Sequence, residues 1–278
     1  MPHLNDIVKL TGSSAKSIAK MLLQSRCHSV SYVERGHHPL VIMGNGPSLA
    51  QNIADDLALL RSLDTLAVNF AANAPEFADL RPNYYLIADP HFFNGRETDP
   101  NVAKLFDNLE QADWQMTLFI PAREHIKLTN PHIRIERFNF VGIEGFGWIE
   151  RFAFDHGLGM PRPRNVLIPA IMTGILAGYR DIRILGADHS WLRTLSVDDH
   201  NTVVSIQPHF YKDSESERER VTAVYKDVRL HDILLSFHIA FRSYHAIASY
   251  AARRGIKIIN ATPDSFIDAF PRGTLTST

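Results

Sequence analysis

The chain has 278 residues, 45% of them hydrophobic, which is enough for a full-sized core in one large domain or two small ones. Its 29 basic and 30 acidic side chains give a net charge of −1, so there is no electrostatic case for nucleic-acid binding. The single cysteine, Cys27, excludes an internal disulfide and a cysteine-rich zinc site, and no apolar run reaches the length of a membrane span. The first residues lack the basic start and apolar core of a signal peptide. We therefore expect a cytoplasmic protein, with peripheral contact at the inner membrane left open.

Apolar residues recur at helical spacing over residues 5–26, with an interruption at residues 12–14 that allows either one helix or two. The polar side of this segment carries Lys9, Lys16 and Lys20. A basic amphipathic helix can lie on an anionic membrane, but packing on its own domain or on a second subunit is the more ordinary role and the one we favour. Residues 34–39 read as a linker, so we predict an N-terminal helical extension over 1–37 and a main domain over 38–278.

From Leu40 onward, strand and helix patterns alternate. The predicted strands are 40–43, 65–69, 83–88, 116–120, 132–137, 181–186 and 256–259. The predicted helices are 47–61, 100–111, 147–156, 166–178 and 219–254, with a short one near 264–270. Such alternation implies an α/β fold with a mostly parallel sheet and helices on both faces. Residues of about 190–237 include a weakly periodic stretch and a charge run, and we predict that they form a lid.

One strand runs into Gly44-Asn45-Gly46, and Pro47 then suits the first turn of a helix. A helix N-terminus after a glycine-flanked turn offers free backbone N–H groups to an anion, although the same pattern also suits an ordinary strand-to-helix turn. The other strands of interest end at Asn69, Asp89 and Asp188. Asn and Asp also favour turns for local reasons. Because ligands sit at the carboxyl ends of parallel strands, we expect these residues to share a ligand crevice.

Several residues after the 181–186 strand carry possible chemistry. Histidines and aspartates cluster there, at Asp188, His189, Asp198, Asp199, His200 and His209, but their spacing matches no metal-binding pattern, and we predict no metal. Trp191 and Tyr211 can reach a phosphate, stack on a base or simply pack the lid.

His238 lies near the start of the long last helix. An imidazole there can act as a general base near neutral pH, yet the pattern alone favours a histidine on the polar face or in the core.

The chain resembles the bacterial CMP-sialic acid-dependent sialyltransferases of glycosyltransferase family 42, and the broader domain-of-unknown-function 115 group. The resemblance starts at Gly44-Asn-Gly-Pro-Ser48-Leu and continues through Val68-Asn69-Phe70 and Asp89-Pro-His-Phe-Phe93. It then includes Ala177-Gly-Tyr-Arg-Asp-Ile-Arg-Ile-Leu-Gly186-Ala-Asp188, the segment from His238 to Ile259, and Asn260-Ala-Thr-Pro-Asp-Ser265. It covers roughly residues 40 to 270, with short motifs in conserved order.

The resemblance implies a Rossmann-like fold, a GT-A-like variant, in a metal-independent, inverting enzyme that needs no cofactor. The segments at Gly44, Asn45, Gly46, Ser48, Asn69, Gly186 and Asp188 would bind the nucleotide of a CMP-linked sugar, a nonulosonate or a related sugar. His238 would deprotonate the hydroxyl of a surface-glycan acceptor, such as lipopolysaccharide or capsule. A homo-oligomer is compatible with this expectation.

This sequence departs from the family at three places. Asp89 stands where the sialyltransferases have Asn, and a carboxylate there would repel an anionic nonulosonate. Arg164 and Asn165 occupy the region of a missing Arg-x-Thr-Ser-Gly motif, and Arg164 can contact a phosphate or carboxylate. The family's two phosphate-binding tyrosines are absent, with His189, Trp191, His209 and Tyr211 as possible substitutes.

Two alternatives remain at the level of sequence. One is a pterin-type pyrophosphokinase that uses ATP and Mg²⁺. The other is a non-catalytic nucleotide-binding module.

Overall fold

The computed structural model describes residues 4–26, 38–204 and 228–276. Its main sheet has seven strands, all paired in parallel, in the spatial order β5-β4-β3-β2-β1-β6-β9. A separate antiparallel pair, β7 and β8, forms a small hairpin. The strands are β1 (Leu40–Met43), β2 (Asp64–Val68), β3 (Tyr84–Leu86), β4 (Met116–Pro121), β5 (Ile133–Phe138), β6 (Asp181–Leu185), β7 (Ser196–Val197), β8 (Val203–Val204) and β9 (Lys257–Asn260).

Helices connect the strands and cover both faces of the sheet. They are α1 (Leu4–Gln24), α2 (Ser48–Leu60), α3 (Phe77–Leu80), α4 (Pro90–Asn94), α5 (Pro100–Glu110), α6 (Gly147–Asp155), α7 (Leu167–Leu176), α8 (Trp191–Thr194) and α9 (Leu230–Arg253), with a 3₁₀ helix at Asn69–Asn73. The α/β, Rossmann-like class expected from the alternating pattern is therefore present. None of the helices in the described ranges is long and apolar enough to cross a membrane.

The interior strand β1 shows how the two faces of the sheet contribute to two separate hydrophobic cores. All four of its residues are buried, and successive side chains point to opposite faces. Leu40 and Ile42 join the core that includes buried residues of α6, α7 and α9. Val41 and Met43 join the core that includes α2 and α5. A strand that is apolar on both faces is typical of a parallel sheet covered on both sides.

The N-terminal extension packs on the main domain through small polar residues. Ser14 and Ser17 are the buried residues of α1 in its described part, and both hydroxyls bond the backbone of residues 144–146. Apolar side chains of the same helix face solvent, with Leu22 76% exposed and Val8 63% exposed. The helix is continuous through residues 12–14, so it forms one helix, the first of the two possibilities.

One other expectation changes. Residues 264–270 form turns and bends, so the prediction of a short helix there is wrong. The side chain of Ser265 accepts from the backbone N–H of Ile267 and from Asn260, a local bonding pattern that competes with a helix. Residues 230–237, which the sequence predicted both for the lid and for the long helix over 219–254, form the first turns of α9. Within the earlier part of the predicted lid, Val203 is buried in a cluster with Ile233 and Phe237.

Candidate functional site

The strand order has one topological switch point. From β1 the chain moves outward through β2 to β5 and then returns to place β6 on the other side of β1. In open α/β sheets, ligands bind at this point, outside the carboxyl ends of the strands. A cavity of about 390 Å³ lies here, and we call it the first cavity. The predicted site residues that line it are Gly44, Asn45, Gly46, Asn69, Asp89, Arg164, Asn165, Gly186, Asp188, His189 and Trp191.

The turn after β1 fits tightly against the turn after β6. A Cβ added at Gly44 would lie 2.5 Å from the carbonyl oxygen of Gly186, and one added at Gly46 would lie 2.6 Å from the same oxygen. Gly44 N–H donates to Leu185 at 2.8 Å, and Gly46 N–H donates to Gly186 at 2.8 Å. These two N–H groups are therefore committed to the neighbouring strand, which corrects the expectation that they are free for an anion. The glycines serve the close approach of two backbones.

Three side-chain amides around the first cavity each have a buried polar atom with no partner in the structure. Asn45 donates its Nδ2 to the carbonyl of Val68 at 3.1 Å and leaves Oδ1 unpaired. Asn69 also leaves Oδ1 unpaired, and its φ of 51° is unusual for a residue with a side chain. Asn165 leaves Nδ2 unpaired. Because buried polar atoms normally have partners, three exceptions around one cavity point to a ligand that supplies them.

The orientation of Asn165 follows from its neighbours. Its Oδ1 accepts from the backbone N–H of Leu167 at 3.0 Å, a group that can only donate, so the oxygen and nitrogen cannot be exchanged. The hydroxyl of Tyr244 also donates to this Oδ1 at 2.8 Å. That hydroxyl has one proton, so it accepts from His189 Nε2 at 2.7 Å. His189 is then the Nε2–H tautomer, and Asn165 is held with its donor as the group that lacks a partner.

His189 is the buried basic group of this network. Burial lowers the pKa of His189 to about 3, because an imidazolium at this buried position would lose its hydration. The ring also stacks on Trp191, with centroids 4.1 Å apart. Trp191 in turn packs on Phe237, at a centroid distance of 5.2 Å. Trp191 thus both lines the first cavity and packs the segment after β6. His189 is neutral at pH 7 and orients Tyr244.

Two carboxylates and one cation also line the first cavity. Asp89 is exposed and caps α4, accepting from His91 N–H at 2.8 Å. Asp188 accepts from the hydroxyl of Ser48 at 2.8 Å, so Ser48 contributes through Asp188 and does not itself line the cavity. Arg164 is exposed and is the one Lys or Arg side chain of the lining in the described ranges. The fixed charge of the lining is therefore slightly negative.

Three predicted residues remain, and the structure describes one of them. The side chain of His238 is exposed on α9 and is not among the residues that line the first cavity. Its assignment as general base stays a prediction. His209 and Tyr211 lie outside the described residues.

Sequence reasoning missed Tyr244, the residue that joins His189 to Asn165. In the sequence, Tyr244 is only one more residue of the apolar face of α9, together with Ile233 and Phe237. No group of three or more potential His, Cys, Asp or Glu metal ligands occurs in the parts of the chain described here.

No family model matches the chain, and no curated protein matches it significantly. Among solved structures, it is similar to the MAf glycosyltransferase from Magnetospirillum magneticum AMB-1, with a TM-score of 0.47 and 12% identity. The match covers 100% of this chain and 39% of that protein, so this chain spans well under half of the neighbour's length. This structural similarity assigns neither a family nor an activity to the chain.

Proposed function

We propose that the chain is a glycosyltransferase that takes a sugar from a CMP-linked donor and passes it to a hydroxyl of a bacterial surface glycan. The observation that carries the proposal is the set of unpaired amide atoms of Asn45, Asn69 and Asn165 around one cavity at the switch point. A cytosine nucleotide offers an exocyclic amine and ribose hydroxyls to the two acceptor oxygens. Its phosphate and ring carbonyl are acceptors that suit the Asn165 donor.

The proposed reaction is a single displacement. The acceptor hydroxyl attacks the anomeric carbon, the bond from that carbon to the phosphate oxygen breaks, and CMP leaves with inversion. Arg164 and Asn165, on the rim and wall of the cavity, would stabilise the departing phosphate by hydrogen bonds that need no metal. His238 would take the proton of the acceptor, as the family resemblance implies.

A nucleotide panel tests the binding half of this proposal. Thermal unfolding is measured with CMP, UMP, GMP and ATP, since a ligand that binds only the folded state stabilises it by about 2.7 kcal/mol at 100 times its Kd. We expect CMP to give the largest shift. Asn165→Asp keeps the oxygens that accept from Leu167 and Tyr244 but replaces the unpaired donor with an acceptor, so it should abolish most of the CMP shift. The absence of a thermal shift with all four nucleotides would contradict the proposal.

Transfer is tested separately with His238→Ala. Because His238 is not among the lining residues of the first cavity, the variant should bind CMP as well as the parent chain does. Transfer of sugar to a glycan acceptor should fall by at least about a hundredfold, the usual contribution of a general base. Full transfer by the variant would remove the proposed role of His238. Stabilisation by CMP without any turnover of the parent chain would instead indicate a nucleotide-binding module.

A pterin-type pyrophosphokinase is the second candidate. It is favoured by the two carboxylates, Asp89 and Asp188, that line the same cavity, because Mg²⁺ with a nucleoside triphosphate is bound through carboxylates and phosphates. It predicts an ATP shift that needs Mg²⁺ and is lost with EDTA. The glycosyltransferase predicts a CMP shift that EDTA leaves unchanged.

A further inference from the structure

A second cavity, of about 770 Å³, opens at the carboxyl edge of the sheet beside β9. It is bounded by α2, α8, the segment that follows β9 and residues 272–275. Asp188 connects it to the first cavity. The side chain of Asp188 lines the first cavity, and its carbonyl accepts at 2.9 Å from the N–H of Phe266, which lines the second.

One face of α2 joins the two sites. Ser48 binds Asp188, and Asn52 and Asp56 follow at intervals of four residues, which places all three on one stripe of the helix. Asn52 and Asp56 line the second cavity. The Oδ1 of Asn52 is buried and has no hydrogen-bond partner in the structure. At Asp56 the backbone departs from helical geometry, with φ of −120° and ψ of 17°. The unpaired acceptor is an independent sign of a ligand.

The charged side chains of this cavity, besides Asp56, include two arginines and the carboxylate of Asp264. The guanidinium of Arg193 lies over the ring of Phe266, 5.0 Å from its centroid. Arg272 donates to the carbonyl oxygens of the loop that follows β9. In the described part of the chain, neither arginine forms an ion pair within 4.0 Å with Asp56 or with Asp264. The cavity therefore presents donors and acceptors that do not neutralise one another.

We propose that the second cavity binds a saccharide, and that this saccharide is the glycan acceptor. A hydroxyl group both donates and accepts, so a sugar can satisfy the Asn52 oxygen, the carboxylates and the guanidinium groups together. A simple anion would suit only the arginines, and a cation only the carboxylates. The volume lies within the usual range for a small-molecule site. The role of this saccharide as acceptor rests on the proposed function, but the binding of a saccharide does not.

In the test, the full chain is titrated with lactose, sialyllactose and inorganic phosphate, and binding is measured by calorimetry or ligand-observed NMR. We expect both sugars to bind. Asn52→Leu and Arg193→Gln should each weaken sugar binding by at least about fivefold, the loss of one hydrogen bond. Arg253→Gln is the matched control, because Arg253 is exposed at the end of α9 that leads into the amino end of β9, at the opposite edge of the sheet.

CMP binding, measured on the same variants, should be unchanged. Sugar binding without CMP binding would leave this inference standing while the proposed function fails. Binding of phosphate but of neither sugar would overturn the inference in favour of an anion site. Sugar binding that Asn52→Leu and Arg193→Gln do not weaken would place the saccharide elsewhere and would also overturn it.

Discussion

At the scale of single residues, Asp89 is the position that, under the proposed function, bears most directly on the charge of the donor. It lies at the carboxyl end of β3, lines the first cavity and caps α4. The resembling sialyltransferases have Asn here, which carries no charge. A carboxylate near the anionic carboxylate of a nonulosonate costs about 1 kcal/mol at about 4 Å in water-like surroundings.

Asp89→Asn should therefore tighten binding of CMP-N-acetylneuraminic acid by about fivefold, which corresponds to about 1 kcal/mol. The helix cap should survive, because Asn is as good an N-cap as Asp. Calorimetric titration measures the change, and CMP alone serves as the control ligand whose affinity should move less. Equal gains for CMP and for the sugar nucleotide would show that Asp89 acts on the nucleotide and not on the donor sugar.

At the scale of elements, the two turns that follow β1 and β6 form one unit. A Cβ at Gly46 would lie 1.9 Å from the Oδ2 of Asp188 and 2.6 Å from the backbone oxygen of Gly186. The carboxylate can move away, but the backbone oxygen is fixed by its hydrogen bond from Gly46 N–H. The shape of this side of the first cavity thus depends on a position without a side chain.

Gly46→Ala should destabilise the chain by about 2 kcal/mol, as overpacking of a tight contact does. Thermal unfolding should show a Tm lower by roughly 4–8 °C for a chain of this size. Gly12→Ala is the control. A Cβ at Gly12 meets nothing within 4 Å, and Gly12 lies inside α1, where Ala is favoured, so Tm should not fall. An unchanged Tm for Gly46→Ala would mean that the two turns separate easily.

The sequence predicted the strand ends well because each signal is local. Apolar runs followed by Asn or Asp indicate where Asn69, Asp89 and Asp188 lie, and parallel topology then brings them to one edge. The commitment of the Gly44 and Gly46 N–H groups was not predictable, because it depends on β6 lying beside β1. Such strand order arises from packing of the whole chain and leaves no local pattern.

The same reasoning explains why Tyr244 was missed. It meets His189 across 55 residues of sequence, and its own neighbourhood reads as an ordinary helix face. The role of His238 was read from family resemblance alone. The structure places its side chain on an exposed face, while Phe237 beside it is buried.

At the scale of the whole molecule, the sheet is covered on both faces, and its first cavity is supported by groups from several distant segments. The network of Asn165, Tyr244 and His189 joins the N-terminal end of α7, the middle of α9 and the turn after β6. The imidazole of His189, at one end of this network, is buried and neutral. Because these elements belong to one core, protonation of His189 must be linked to unfolding of the whole domain.

This linkage predicts a loss of stability in acid. The pKa of His189 is about 3 in the folded chain and 6.5 as its ordinary value, so between these pH values the unfolded chain binds one more proton at this site. Stability then rises with pH and falls as the pH drops below 6.5, by about 1.4 kcal/mol for each pH unit. From pH 7 to pH 5 this site alone should cost about 2 kcal/mol.

Urea unfolding at pH 7 and pH 5 measures the effect in the parent chain and in His189→Gln. Gln does not titrate in this range and can still donate to the hydroxyl of Tyr244, so the variant should lose about 2 kcal/mol less stability between the two pH values. His200→Gln, at an exposed histidine between β7 and β8, is the control and should keep the full loss of the parent chain. If His189→Gln lost as much stability as the parent chain, His189 would have to be protonated in the folded state. The neutral state of the His189 ring would then be wrong, although Nε2 would still donate to Tyr244, because both ring nitrogens of an imidazolium are donors.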